Sequence, residues 1–168
     1  MLLFFKYHLS LLIAFLIFIP SFSFAVDLNS PGDKKVTIKS EILRGQEAAF
    51  SAAQAADSID LLGQMNAIDR VFSLNKQKNT DSPGFLLGAD FGAWSALSMS
   101  LELLKGKDYV KQGDYDLVLK FSQDYFKAFR QRQKQMKVSD EKLMETIGFK
   151  KPLMDSIYKW DYQTKNPK

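Results

Sequence analysis

Between residues 84 and 100 a small side chain returns at every fourth position: Gly84, Gly88, Gly92, Ala96 and Ser100. Residues four apart on a helix lie one above another, so these five define a single face with almost no side-chain bulk. Such a face lets a second backbone approach closely. Each glycine in a helix interior costs about 1 kcal/mol relative to alanine, so three of them imply either a geometric demand or a loop over residues 84–88. An alanine-rich run upstream, with Ala48, Ala52 and Ala56, is the expected partner face for the close-packing residues Gly84, Gly88, Gly92 and Ala96. In a bilayer the same spacing would suggest helix dimerisation. Asp90 and Glu102 interrupt the apolar stretch around it, which favours the interior of a soluble bundle.

The remaining pattern is helical as well. Val36, Thr37 and Ile38 could form one short strand, yet no neighbouring run offers it a partner. Ser40 is a candidate cap for a helix that runs into the alanine-rich segment. A second unit starts at Asp57 or Ser58, with Ile59, Leu62, Met65, Ile68 and Phe72 at helical spacing. It is either continuous with the first helix or joined to it by a kink. Residues 75–82 are polar and read as a loop, and Ser82-Pro83 resembles a cap followed by proline at the first helical position, with Asp90 as a rival start for the same helix. Gly106 suits the left-handed residue past a helix end. A long helix is expected over residues 114–137 and a short one between Ser139 and Gly148, with Pro152 opening the last. The expected fold is a single-domain all-α bundle of five or six helices over residues 40–164, preceded by a flexible lead-in over residues 26–39.

Residues 1–25 have the layout of a secretory signal. Lys6 supplies the positive start, residues 9–19 are apolar apart from Ser10, Pro20 ends the run, and Ser23-Phe24-Ala25 offers small residues at the cleavage positions. Retention of this segment as a membrane anchor is the alternative. Cleavage would remove His8, the one histidine of a chain that has no cysteine. Beyond residue 25 there is then neither imidazole nor thiol. That excludes the Ser-His-Asp triad, the cysteine nucleophile, structural zinc and histidine- or thiolate-held haem. No cysteine is available for lipid attachment, and no Asn-x-Ser/Thr acceptor occurs. An exported chain that folds without disulfides and lacks glycosylation acceptors fits a bacterial periplasm best, with an extracellular location as the alternative. No metal or cofactor is expected.

Charge is unevenly distributed. Residues 26–104 hold seven Lys/Arg against ten Asp/Glu, whereas residues 105–168 hold fifteen against nine. The cations concentrate at Lys127, Arg130, Arg132, Lys134 and Lys137, in a stretch with no acidic residue. Such a run can meet an acidic protein, a phospholipid surface or an anionic polymer, although an ordinary solvated helix face has the same composition. Nucleic acid is not an expected partner for an exported protein. Near the C-terminus Tyr158, Trp160 and Tyr162 alternate with Lys159 and Asp161, so at least one aromatic should face solvent beside lysine. Lys127, Arg130, Arg132, Lys134, Tyr158 and Trp160 are therefore the candidate partner-binding residues.

Carboxylates are the remaining strong acid-base groups. Asp57 and Asp60 would share a helix face, Asp69 would lie on a similar side, and Glu102 would be partly buried on its apolar helix. A carboxylate pair can hydrolyse a glycoside without histidine or metal, but nothing in the pattern marks one pair. Asp114-Tyr115-Asp116 lacks the ligand spacing of a calcium loop, and the glycines near residue 88 lack the lysine of a phosphate loop. Three functions follow as expectations. The first is an exported helical protein that binds a macromolecular partner in the cell envelope, of inhibitor or immunity, chaperone or secretion-accessory type. The second is a carboxylate-dependent hydrolase of a cell-wall or other glycan. The third is a membrane-associated or self-associating component that uses the glycine-ridged helix.

Overall fold

The computed structural model of the chain describes residues 37–78, 82–148 and 152–165. The signal-like segment and residues 26–36 of the lead-in lie outside them. The described residues form six α-helices: α1 (Ile38–Ala55), α2 (Leu61–Lys78), α3 (Pro83–Leu104), α4 (Gln112–Gln135), α5 (Asp140–Ile147) and α6 (Pro152–Lys165). The all-α bundle expected from the sequence is thus what the chain forms.

Local signals account for most boundaries. Thr37, not Ser40, caps α1, and its extended backbone is that of a cap rather than of a strand. Ser40 is the third helical residue and its hydroxyl returns a hydrogen bond to Thr37, so the two satisfy each other's backbone donors. Helices α1 and α2 are separate. Ala56 turns the chain out of the first, Asp57 accepts from the Ile59 N–H at 3.1 Å, and Asp60 accepts from the Gly63 N–H at 2.8 Å to start the second. Helix α2 then runs to Lys78, into the stretch the sequence assigns to a loop. Ser82 caps α3 by accepting from the Phe85 N–H, with Pro83 at the first turn. Gly106 and Gly148 take left-handed conformations just past α3 and α5. At the end of α4 a non-glycine residue, Lys137, takes that role at φ 55°, and the Val138 N–H reaches back to the Gln133 carbonyl.

Helix α3 is the centre of the molecule, with 14 of its 22 residues buried. Its two broad faces meet different neighbours. The small-residue face lies against α1 along most of its length. A methyl group added at Gly88 would strike the Ile42 carbonyl and come within 2.7 Å of its carbon and 2.9 Å of the Gln46 nitrogen. One added at Gly92 would stand 2.5 Å from the Gln46 carbonyl oxygen, and one at Gly84 would press on Glu41. Residues 84–88 are helix, so the glycines serve close approach and not a loop.

The partner face differs from the expected one by one step around α1. Ile42, Gly45, Ala49 and Ala53 are the buried positions, while Ala48 and Ala52 are half-buried beside them. Gly45 is the reciprocal of Gly88, because a Cβ there would meet the Phe85 carbonyl and lie 2.8 Å from the Ala89 nitrogen. Farther along α3, Ala96 is buried and the Ser100 hydroxyl donates to Gln64 of α2 at 2.6 Å.

The opposite side of α3 carries Leu87, Phe91 and Trp94, all within 1% of complete burial. Phe126 and Phe129 of α4 fill against them. Trp94 stacks on Phe129 with ring centres 6.0 Å apart and meets Phe126 at 5.1 Å. Leu143 and Met144 of α5 and Ile157 of α6 complete this second core. No helix among the described residues is long and apolar enough to cross a membrane.

Candidate functional site

The cations in the basic run of α4, residues 127–134, fall into two groups. Lys127 and Lys134 are exposed; Lys127 stands 3.8 Å from Asp124, a pair with both side chains mostly in solvent. Such a pair contributes little to stability. The two arginines between them turn inward to opposite neighbours.

Arg130 is held by two carboxylates from different helices. Its Nη1 donates to Asp140 of α5 at 2.6 Å, and its Nη2 and Nε engage both carboxylate oxygens of Asp161 of α6 at 2.6 and 3.2 Å. Gln133 receives a hydrogen bond from Nη1 at 2.7 Å and donates its own amide to Asp140 at 2.6 Å. The planar fork of guanidinium is the side chain that can serve all these acceptors together. Burial alone would depress the Arg130 pKa, but Asp140 and Asp161 outweigh it and raise the pKa above its ordinary value.

Arg132 points to α3, where its Nε donates to the Asp90 carboxylate at 2.6 Å. The two ends of this pair sit in unlike surroundings: the Asp90 side chain is 4% exposed and that of Arg132 is 35% exposed. Burial pushes the Asp90 carboxyl up to about 6, against the opposing hydrogen bond and charge of Arg132. Tyr125 is raised too, first by burial and then by the negative charges of Asp69 and Asp90. Its ring stacks on Phe72 of α2 at 5.2 Å. A buried, charged carboxylate with one cation at the rim is costly, and that cost sets the direction of its shift.

Of the six residues singled out for partner contact, Lys127, Lys134 and Tyr158 face solvent, the last with 53% exposure. Arg130 and Arg132 are committed to internal pairs. Trp160 is half-buried, its ring 6.1 Å from Trp94 and 5.9 Å from Phe126. The sequence-derived carboxylates are not assembled as a pair on a helix face either: Asp57 and Asp60 are exposed and cap the α1–α2 turn, and Glu102 is exposed. Asp90, Gln133, Asp140 and Asp161 were not read from the sequence as functional. A lone aspartate in the apolar stretch of α3 was the available signal, since a charge there needs a partner.

No family model matches this chain, and no curated protein or solved structure matches it. Among the described residues no group of three or more His, Asp or Glu is arranged to hold a metal ion.

Proposed function

We propose that this protein is exported to the cell envelope and acts there by binding a macromolecular partner, through the outer face of α4 and the adjoining surface of α6. The observation that carries this is the division of α4's cations. Arg130 and Arg132 tie the helix to α3, α5 and α6. Lys127 and Lys134 are left on the outside of the braced helix, seven residues apart and so on nearly the same side. Tyr158 adds an exposed aromatic on α6, the helix that Arg130 anchors to α4. A rigid helix bearing lysines beside a tyrosine is a surface suited to a protein partner. Inhibitor or immunity, chaperone and secretion-accessory roles all use such a surface.

The test is affinity purification from envelope fractions under gentle detergent, with chemical cross-linking through the lysines. The wild type should retain one protein in fixed stoichiometry. The triple variant Lys127→Glu, Lys134→Glu, Tyr158→Ala should lose it while melting at the same temperature. Repeated recovery of the wild type alone, without a cross-linked product, would overturn the assignment.

A further inference from the structure

Helix α3 ends at Leu104, and the chain passes into α4 through residues 105–111. Gly106 takes a left-handed conformation there, and the Lys107 and Val110 N–H groups donate to the Leu104 and Lys107 carbonyls at 3.2 and 3.0 Å. Two successive turns therefore fix the loop. A cavity of about 290 Å³ is lined by this loop and by Gln112 and Tyr115 of the first α4 turn. That volume lies at the lower end of the range for small-molecule sites.

The floor of the cavity is apolar. Leu104 is buried, and Val110 and Tyr115 are half-buried against the core that contains it. The rim is basic: Lys105 and Lys107 are exposed, and no carboxylate belongs to the lining. Among the described residues, neither lysine side chain has an ion-pair partner, and neither they nor the Tyr115 hydroxyl have a hydrogen-bond partner. Burial, and after it the charges of Glu102 and Asp116, raise the Tyr115 pKa, so the hydroxyl remains a donor at neutral pH. Asp116 itself accepts from the Gln112 amide at 2.8 Å. Two cations and a hydroxyl thus stand over an apolar floor. We propose that this cavity binds a small free amphiphile, an apolar body carrying one carboxylate. The body displaces water from Leu104, Val110 and the Tyr115 ring, and the carboxylate accepts charge-assisted hydrogen bonds from the rim. The site lies at the start of α4, apart from Lys127 and Lys134, and goes beyond the partner-binding function above.

Sodium decanoate titrated into the purified protein, followed by amide NMR, tests this. Shifts should concentrate in residues 104–115 and saturate with a dissociation constant below about 1 mM. Decyltrimethylammonium has the same chain and the opposite charge, and should bind about tenfold or more weakly. The double variant Lys105→Gln, Lys107→Gln should lose about tenfold in decanoate affinity while melting at the same temperature, because both side chains are exposed. Tyr115→Phe, which keeps the floor and removes the hydroxyl, should lose about threefold. Shifts that fail to saturate or that spread over the whole bundle would overturn the proposal. So would equal affinity for the two probes, or undiminished binding by the double variant. Sedimentation with phosphatidylglycerol vesicles without binding of free decanoate would overturn it in favour of a membrane surface. None of these outcomes requires the envelope partner, so the cavity assignment and the partner-binding function fail separately.

Discussion

Towards α1, helix α3 turns Gly88 and Gly92 and is met by the backbone of Ile42 and Gln46; towards α4 it turns Phe91 and Trp94 and is met by the rings of Phe126 and Phe129. The first seam is backbone on backbone. Its atoms belong to two hydrogen-bonded ladders, so none can move aside without shifting a helix. The second seam is side chain on side chain, where rotamers can adjust to a change of volume. One helix therefore carries one face that tolerates no addition and another that tolerates some loss.

The sharpest way to break this distinction is Gly88→Leu. Four added carbons have no room in the first seam, and the expected cost exceeds about 5 kcal/mol, beyond the range of ordinary substitutions. A thermal melt followed by circular dichroism should lose its cooperative transition. Next in size is Phe129→Ala in the second seam, expected to cost about 3–5 kcal/mol by urea unfolding, with a folded state still populated if the bundle has ordinary stability.

Asp90 gives a third and smaller test, because it burdens the α3–α4 seam with a charge. Its folded pKa of about 6 lies above the ordinary 3.8, so the folded state binds the proton more tightly than the unfolded chain does. The stability this contributes is fully present below pH 4 and is lost as pH rises to about 6. The difference in unfolding free energy between wild type and Asp90→Asn isolates the effect from other carboxylates. Asp90→Asn should match the wild type at pH 4 and be the more stable at pH 7.5, by up to about 3 kcal/mol. Equal stabilities at both pH values would show that Arg132 compensates the buried charge in full. The smallest effect belongs to the outside of α4, where Lys127→Ala should change stability by less than about 0.5 kcal/mol.

What the sequence disclosed divides along the range of the interaction. Ser82-Pro83, Ser139, Gly106 and Gly148 mark helix ends through contacts within a few residues, and all four occupy the positions expected of them. The small-residue ridge was legible as well, since its period lies within one helix. Its partner was not, because a run of alanine and serine hides its own buried side. Gly45, four residues before Ala49, was the mark that separates Ala49 and Ala53 from Ala48 and Ala52. Arg130 and Arg132 read as part of a basic surface because their acids are distant in the chain. Asp140 is 10 residues away from Arg130, Asp161 is 31 residues away, and Asp90 is 42 residues away from Arg132. Local composition counts charges, and only the fold pairs them.

The contrast between the two seams is tested most directly by urea unfolding of Gly88→Ala beside Phe129→Leu. Helix propensity alone would make Gly88→Ala stabilising by about 1 kcal/mol, while collision with the Ile42 carbonyl opposes it. Adding this one carbon is expected to cost more than Phe129→Leu, which removes several carbons for about 1–2 kcal/mol. A Gly88→Ala variant as stable as the wild type, or more stable, would contradict a backbone seam between α1 and α3.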